Sequence, residues 1–266
     1  MSVVLQISDP HFGTEQAPVV DALVAFSRQQ QPDLIILSGD VTQRARTAQF
    51  RAAQVFIGRL GVPALAIPGN HDLPLFDLWA RLRHPYANFV AAFGTEVEPV
   101  HSSHDLLVVC VNTTRAARHK QGEVSVDQID RVAETLSAAS AVQLRVVVVH
   151  QPVAVTRADD VPNLLRGHAE ALHRWSAAGA DIVMGGHIHL PYVKAIQGLA
   201  RPVWAVQAGT AVSSRVRKGV PNSVNLLRWD ASSIQPCCRI ERWCFTNDAQ
   251  AFVLTNVSDI TPARGG

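Results

Sequence analysis

Residues 34–40 read LIILSGD, an apolar run of strand length that ends directly at Asp40. The same arrangement, a residue of metal-ligand type after an apolar run, occurs four more times along the chain. The four further stretches are VVLQISDPH at 3–11, ALAIPGNHD at 64–72, LRVVVVH at 144–150 and DIVMGGHIH at 181–189. In open α/β sheets, the loops at the carboxyl ends of the strands converge on one crevice. We therefore expect these five loops to meet at a single site.

The five loops carry side chains that are typical metal ligands. Their carboxylates, amide and imidazoles belong to Asp9, His11, Asp40, Asn70, His71, Asp72, His150, His187 and His189. Hard oxygen and borderline nitrogen donors without a thiolate favour Mn, Fe, Zn or Co, and many histidines disfavour Mg and Ca. This inventory suits a pair of metal ions ~4 Å apart, an arrangement that breaks phosphate esters.

Each motif alone is a weak signal. A single Asp-x-His or Gly-Asn-His-Asp is more often an ordinary loop in which Asp or Asn caps a turn. In GHIH at 186–189, alternate residues of an extended segment point the same way, so both histidines can reach one site. Five motifs in order, each after a predicted strand, are what indicates a metal centre.

The composition describes a globular chain without an evident affinity for polymers or membranes. The 266 residues are 47% hydrophobic and 17% charged, and the formal net charge is +2. This charge provides no basic field for nucleic acid, and no apolar stretch is long enough for a transmembrane helix. The first residues enter a strand and a ligand motif at once and lack the features of a signal peptide. We expect a soluble, cytoplasmic protein with neither a membrane nor a nucleic acid polymer as partner.

Apolar periodicity predicts alternating strands and helices as far as the GHIH motif. The predicted strands are 3–9, 34–38, 64–67, 106–111, 145–149 and 181–184. The predicted helices are 17–30, 46–60, 74–93 with an interruption at Pro85, 125–139 and 163–178. Three strand-like segments at 202–207, 223–229 and 236–245 follow without helices, which suggests antiparallel strands closing a sheet. The chain is predicted to form one domain at 1–255 with a polar tail at 256–266. Its four cysteines contain no CxxC pair, which disfavours a zinc knuckle and a disulfide framework.

At the five motifs the chain resembles the calcineurin-like metallophosphoesterase superfamily. The pattern of that family is D-x-H, G-D, G-N-H-D/E, H and G-H-x-H in this order, and all five blocks are intact here. The resemblance spans residue 5 to about residue 190. It implies an α/β (α+β) fold, a four-layer α/β/β/α sandwich of two mixed β-sheets flanked by helices.

The resemblance also implies roles for the motif residues and a cofactor of two divalent or trivalent metal ions. The residues implied to hold one ion are Asp9, His11 and His189. Those implied to hold the other ion are Asn70, His150 and His187. Asp40 would bridge both ions. His71 would stay off the metals and contact the phosphate or the leaving group, with Asp72 orienting its ring.

Within the superfamily the chain looks most like the bacterial class III cyclic-nucleotide phosphodiesterases. The segments that carry this likeness are SGDVTQRA, IPGNHD, VVHQP and AGTAVSSR. Protein Ser/Thr phosphatases carry Asp-Arg-Gly after the Gly-Asp, whereas this chain has VTQR at 41–44, which disfavours that branch. The class III branch often has His-His-Pro where this chain has His150, Gln151 and Pro152. If the second histidine binds substrate in that branch, Gln151 alters the specificity here.

The expected function is hydrolysis of phosphodiester bonds by attack of a metal-bridging hydroxide. The expected partner is a small phosphate ester, and the resemblance suggests 3',5'-cyclic nucleotides. A phosphomonoesterase or a nuclease of the same superfamily is the alternative. A scaffold without catalysis is a further alternative, which the complete ligand set disfavours.

Polar residues near the same strand ends are candidates for contacts with the substrate. They are Arg44, Asn112, Arg115 and Arg215. Arginines bind phosphate in a bidentate manner, although exposed loop cations often contribute nothing measurable. The sequence makes no prediction of the oligomeric state.

Overall fold

A computed structural model describes residues 1–233 and 236–263 of the chain. The strands are β1 (Ser2–Ile7), β2 (Leu34–Leu37), β3 (Ala64–Ala66), β4 (Val100–Ser102), β5 (Leu106–Cys110), β6 (Leu144–Val148), β7 (Ile182–Gly185), β8 (Tyr192–Ile196), β9 (Val203–Gln207), β10 (Ser223–Trp229), β11 (Cys238–Thr246) and β12 (Ala251–Ile260). The helices are α1 (Ala17–Gln30), α2 (Thr47–Leu60), α3 (Leu78–Arg83), α4 (Ala87–Phe93), α5 (Val126–Ser137) and α6 (His168–Ala178). Short 3-10 helices lie at Asn70–Asp72 and Ala158–Asn163.

The strands form two six-stranded sheets, and each sheet is mixed. The first has the order β12-β11-β10-β1-β2-β3, in which β1, β2 and β3 are parallel and β10 to β12 are antiparallel. The second has the order β4-β5-β6-β7-β9-β8, with parallel pairing from β5 to β9 and antiparallel strands at both edges. The parallel strands at the centre of each sheet end at the same edge, and the motif loops follow them.

Alternation along the strands builds three apolar layers. In β1, Leu5 and Ile7 pack in a cluster with residues of α1 and α2, whereas Val4 packs in a cluster made of strand residues from both sheets. A third cluster joins the outer face of the second sheet to α5 and α6. Two sheets therefore face each other with helices outside, and the predicted four-layer sandwich is confirmed.

Local sequence signals set several helix ends where they were predicted. Pro18 lies in the first turn of α1, a position at which proline costs no hydrogen bond. Gly61 ends α2 in the left-handed conformation with a φ of 68°. The Ser125 hydroxyl accepts from the Gln128 backbone N–H at 3.2 Å, as the capping box at the start of α5 requires. Pro85 separates α3 from α4.

Three predictions made from periodicity are wrong in part, and two edge strands were missed. Residues 203–207 do not extend an antiparallel series, because β9 pairs in parallel with β7 in the second sheet. The helix predicted from residue 163 begins at His168, after Gly167 takes a left-handed φ of 82°. The polar tail predicted at 256–266 is contradicted at 256–260, which belong to β12 and pair with β11. Strands β4 and β8 were not predicted. Both β12 and β8 are edge strands with exposed faces, so they lack the apolar alternation that identifies a strand.

Residues 264–266 of the predicted tail lie outside the described residues. No helix of the described residues is long and apolar enough to cross a membrane. All four cysteines are free thiols. That the chain forms one domain stays a prediction.

Candidate metal centre

The first two motif loops are joined by backbone hydrogen bonds just beyond the ends of β1 and β2. The backbone N–H of Asp9 donates to the Gly39 carbonyl, and that of His11 donates to the Asp40 carbonyl, each at 3.1 Å. The third loop joins them because the backbone N–H of His71 donates to Oδ1 of Asp40 at 2.8 Å. The fifth loop joins them because the backbone N–H of His187 donates to the Asp9 carboxylate. The convergence of strand-end loops therefore brings the motif side chains together.

Three groups of side chains could each hold a metal ion. Within a group, the ligand atoms lie no more than 4.8 Å apart. Two groups are separate, one of Asp9, His11 and His189 and one of Asp40, His150 and His187, and the third, His11, Asp40 and His71, overlaps both. Asp40 faces both groups, because its Oδ2 lies 3.7 Å from Nε2 of His11 and its Oδ1 lies 3.3 Å from Nε2 of His150. These positions suit a carboxylate shared between two ions.

The donor atoms of the second group fit a cation. Oδ1 of Asn70, Nε2 of His150 and Nδ1 of His187 are buried without a hydrogen-bond partner. Buried polar atoms without partners are costly and call for an explanation such as an ion. Oxygen and imidazole donors at such positions match the ligand preference of first-row transition metals. The residues present therefore fit a pair of metal ions.

Backbone carbonyls hold two of the imidazoles in the orientation that ligation needs. Nδ1 of His150 lies 2.8 Å from the Ser38 carbonyl oxygen, and Nδ1 of His189 lies 2.7 Å from that of Arg215. A carbonyl only accepts, so Nδ1 carries a proton in both rings, and in the neutral form of each ring the lone pair lies on Nε2. Such a partner fixes the tautomer of a metal-ligating histidine.

Burial and mutual charge shift the ionisation of the cluster strongly. Burial lowers the pKa of His11 to about 3 and, together with His150, that of His187 to about 4. Burial opposes ionisation of Asp40, but His150, His71 and His11 outweigh it and hold its pKa well below the ordinary value. The Asp40 carboxylate in turn raises the pKa of His150 to about 9, because its attraction for the charged ring outweighs the effect of burial. Neutral His11 and His187 with an ionised Asp40 are the forms that bind a metal.

The backbone is strained where these side chains converge. Five candidate ligands take a left-handed φ: Asp9 at 49°, His11 at 44°, Asp40 at 49°, His187 at 70° and His189 at 54°. Such conformations cost ~1–3 kcal/mol each in non-glycine residues and concentrate at functional sites. These backbone conformations therefore lower the stability of the fold and direct the five side chains toward one another.

Glycines in two motifs allow the loops to approach the carboxylates closely. A Cβ atom at Gly69 would lie 2.1 Å from the backbone nitrogen of Asp40, and one at Gly186 would lie 2.4 Å from Oδ2 of Asp9. No side chain fits at such distances. This contact explains why the sequence has glycine before Asn70 and before His187.

Asp72 does not have the role that the resemblance implies. Its carboxylate is buried and accepts hydrogen bonds from the backbone N–H groups of Val41, Thr42 and Gly69 at 2.7–2.9 Å and from the Thr42 hydroxyl. Burial and the neighbouring Asp40 raise its pKa to about 7. Nδ1 of His71 instead lies 3.0 Å from the Gln43 carbonyl oxygen, which orients the ring. The prediction that Asp72 orients His71 is therefore wrong, and Asp72 ties the second motif loop to the third.

A cavity of about 450 Å³ opens over the cluster. Its described lining includes Asp40, Asn70, His71, His187, His189 and Arg215. Arg217, a second arginine of the loop that carries Arg215, also lines the cavity, whereas Lys120, Asp160 and Asn163 of the lining were not predicted from the sequence. These last three come from loops without a recognisable motif, so no local signal could have identified them. The cavity is large enough for a small phosphate ester and supplies three cationic side chains.

The four residues predicted to contact the substrate have different environments in the structure. Arg215 lines the cavity, and its Nη1 lies 3.3 Å from Nε2 of His71. Arg44 lines a small adjoining pocket with His71 and lies over the Phe76 ring at 5.7 Å. The side chain of Asn112 accepts from Thr114. Arg115 donates to backbone carbonyls and to Gln128 at the start of α5. The expectation of substrate contact is therefore corrected for Asn112 and Arg115, whose polar groups stabilise this turn.

Gln151 supports a loop of the cavity wall. It is fully buried, and its Oε1 accepts from the Thr113 hydroxyl at 2.6 Å. Its Nε2 donates to the carbonyl of Lys120 at 3.3 Å, and Lys120 lines the cavity. Both side-chain hydrogen bonds of Gln151 thus go to segments beside the cluster, and Gln151 positions the loop that carries Lys120.

Arg217 supports the loop that holds the two histidines of the fifth motif. It lies 2.8 and 3.0 Å from the two carboxylate oxygens of the buried Asp160 and donates to the Ile188 carbonyl at 3.3 Å. Ile188 lies between His187 and His189, so this ion pair fixes the backbone from which both rings project.

We expect Arg217→Met to weaken metal binding ~10–100-fold, the usual effect of removing a partner that orients metal ligands. Titration of metal-stripped protein with Mn or Zn, followed by calorimetry, measures this change. Arg239→Met is the matched control, because Arg239 pairs with Asp259 at an exposed position. Equal metal affinity in Arg217→Met and the unmodified protein would show that the pair does not position the ligands.

The chain is similar in sequence to known phosphoesterases. The family model of the calcineurin-like phosphoesterases matches residues 2–191, which is more than half of the chain. A probable cyclic nucleotide phosphodiesterase of Synechococcus sp. is 26% identical over 212 residues, covering 72% of this chain and 74% of that protein.

Two solved structures share the fold. The purple acid phosphatase PPD1 from yellow lupin (Lupinus luteus) seeds matches with a TM-score of 0.71 at 12% identity, covering 98% of this chain and 53% of that chain. This chain thus spans about half the length of the lupin phosphatase. A dimetal phosphatase from Danio rerio matches with a TM-score of 0.68 at 11% identity, covering 98% of this chain and 99% of that chain. Identities this low show the fold alone.

Proposed function

Since this chain belongs to the calcineurin-like phosphoesterase family and is by that membership a phosphoric ester hydrolase, we propose that it hydrolyses small phosphodiesters with two metal ions. The observation that carries the proposal is Asp40, whose two carboxylate oxygens face two separate groups of ligand side chains. A shared carboxylate between two such groups is the arrangement that a dinuclear centre requires.

The proposed metal ligands are the seven motif residues. Asp9, His11 and His189 would hold one ion, Asn70, His150 and His187 would hold the other, and Asp40 would serve both. When bound, the ions lower the pKa of water and neutralise charge on the phosphate. Mn, Fe, Zn and Co all match the donor set. Elemental analysis after reconstitution with each metal, with close to two ions per chain as the expected result, tests this assignment. The cytoplasmic location stays a prediction.

We propose that Arg215 and His71 act together on the substrate. Nη1 of Arg215 lies 2.7 Å from Oε1 of Gln43 and 3.3 Å from Nε2 of His71, so Gln43 holds the guanidinium beside the ring. Arg215 binds a phosphate oxygen that enters the cavity. The Gln43 carbonyl retains the proton on Nδ1 of His71, so the doubly protonated ring would pass its Nε2 proton to the leaving oxygen and return to the neutral form.

A diester is the favoured substrate because one of the three cations of the cavity is already neutralised. Arg217 is paired with Asp160, which leaves Arg215 and Lys120 for the phosphate. A phosphomonoester dianion carries one more negative charge than a diester, and sites for monoesters recruit extra cationic groups. The similarity to a probable cyclic nucleotide phosphodiesterase supports the same choice and makes 3',5'-cyclic nucleotides the first candidates.

We expect kcat/KM for bis-nitrophenyl phosphate to exceed that for nitrophenyl phosphate by at least ~10-fold, a difference of ~1.4 kcal/mol in transition-state stabilisation. Both compounds release nitrophenolate, so the comparison isolates the charge and size of the ester. Metal-stripped protein reloaded with Mn, Zn or Co is the material. Faster turnover of the monoester with every metal contradicts the diesterase proposal.

Cyclic AMP is tested separately from the reaction class. A kcat/KM well below ~10⁴ M⁻¹s⁻¹, the low end for enzymes acting on their own substrates, assigns the site to another diester. In that case a panel of cyclic nucleotides and glycerophosphodiesters identifies the preferred class.

A further inference from the structure

Helix α3 exposes its apolar side chains and buries an arginine, which is the opposite of the usual arrangement. Leu78, Trp79 and Leu82 are 67%, 67% and 70% exposed, and Phe76 just before the helix is 83% exposed. The one buried residue of the helix is Arg81. Residues three and four apart share a face of a helix, so Leu82 lies beside both Leu78 and Trp79. In soluble helices the apolar face is the one that packs inward.

Arg81 holds α3 in this orientation. Its guanidinium donates to the backbone carbonyls of Pro74, Ala116 and Arg118 at 2.6–2.8 Å. The N-terminus of the helix is fixed as well, because the Asp77 carboxylate accepts from the Ala80 backbone N–H at 2.9 Å. The apolar face is therefore presented outward by specific hydrogen bonds. A contiguous exposed apolar surface of this kind marks an interaction site.

Cations accompany the exposed apolar side chains. The Arg83 guanidinium lies 4.5 Å from the Trp79 ring centre, and that of Arg44 lies 5.7 Å from the Phe76 ring centre. We call Phe76, Leu78, Trp79 and Leu82 with Arg44 and Arg83 the α3 patch. Leucine and aromatic side chains with arginines beside them are typical of segments that lie in the headgroup region of membranes. Anionic lipids attract such arginines.

We propose that the α3 patch docks on an anionic phospholipid surface. A second copy of the chain fits the patch poorly, because a symmetric contact sets the same arginines against each other. Nucleic acid would satisfy the arginines but leave Leu78 and Leu82 without an apolar partner. The lipid surface accepts both kinds of side chain at once.

Docking on this patch leaves the reaction site beside the membrane. Arg44 and Leu75 line a small pocket together with Asn70 and His71, and the same two motif residues line the large cavity. This inference does not depend on the proposed reaction. It differs from the expectation of no membrane partner, which rested on the lack of a membrane-spanning segment.

Co-sedimentation of the full-length protein with vesicles tests the proposal. We expect binding to vesicles of phosphatidylcholine mixed with phosphatidylglycerol, and much weaker binding to phosphatidylcholine alone. The double variant Trp79→Ser/Leu82→Ser is expected to bind at least ~10-fold more weakly, because each side chain loses its burial in the lipid. Arg83→Gln is expected to lose about fivefold. Val55→Ser is the control, since Val55 is 66% exposed on α2.

Tryptophan fluorescence identifies the element that contacts the lipid. A blue shift on addition of anionic vesicles that disappears in Trp79→Phe, while sedimentation is retained, supports docking through α3. Circular dichroism and thermal melting establish that the variants are folded. Three results overturn the proposal: no binding of the unmodified protein, equal binding of Trp79→Ser/Leu82→Ser, or a concentration-dependent dimer that this variant abolishes. The last result assigns the patch to self-association.

Discussion

Asp40→Ala is expected to remove metal binding at both positions and to reduce hydrolysis by more than ~10³-fold. The expected loss exceeds the ~10–100-fold effect of a partner that merely orients a ligand, because Asp40 is the carboxylate that both ligand groups share. Without its charge, His11 and His150 also lose the anion beside them. Elemental analysis and kcat/KM on the reconstituted variant measure the two effects together.

Matched variants distinguish the loss of the shared carboxylate from a general loss of folded structure. Asp40→Asn keeps the shape of the side chain and tolerates the left-handed backbone at this position. Its amide oxygen still accepts from the His71 backbone N–H, so the variant lacks only the charge. We expect it to remain folded, with metal affinity between those of Asp40→Ala and the unmodified protein. Asp21→Ala, which removes an exposed carboxylate, is expected to change neither quantity. Two metal ions bound with unchanged affinity to Asp40→Ala would refute the dinuclear assignment.

His71→Ala is expected to leave the metal content nearly unchanged and to slow hydrolysis of unactivated diesters. A positioned acid contributes ~10²–10⁴-fold, and the His71 ring is held in the cavity wall by the Gln43 carbonyl. Esters with nitrophenolate as leaving group need less protonation and are expected to lose much less rate. Comparing kcat for a nitrophenyl diester and an alkyl diester in the same variant measures the difference.

The leaving-group comparison distinguishes three roles for His71. Equal losses with good and poor leaving groups show that His71 does not donate the proton. Loss of metal shows that it is a ligand, a role its distance from Asp40 and His11 also allows. His173→Ala, which removes an exposed histidine on α6, is the control for nonspecific effects.

Much of the metal centre followed from the sequence because its signals are local. Apolar runs identified β1, β2, β3, β6 and β7, and a ligand-type residue came directly after each of them or a few positions later. The carboxyl ends of neighbouring parallel strands lie at one edge of a sheet, so order along the chain predicted convergence within β1, β2 and β3 and within β6 and β7. These two sets belong to different sheets, and the stacking of the sheets brings their edges together. The resemblance added the sandwich fold, which the three apolar clusters confirm.

Contacts between distant segments were decided only by the tertiary structure. Asp72 was expected beside His71, its neighbour in sequence, but its carboxylate meets donors of the second motif loop. Arg217 and Asp160 belong to loops without a motif, and only the folded chain brings them together behind Ile188. The partner of β9 depended on a crossover that periodicity does not describe.

The sequence by itself therefore predicted β1, β2, β3, β6 and β7 and the ligand-type residues that follow them, since strand periodicity and strand-end loops act within a few residues. The tertiary structure alone decided which groups hold that centre in place and which way α3 faces. Helical spacing specifies that Leu78, Trp79 and Leu82 share one face, but it does not specify whether that face points inward. Three backbone carbonyls of other segments bind Arg81 and turn this face outward.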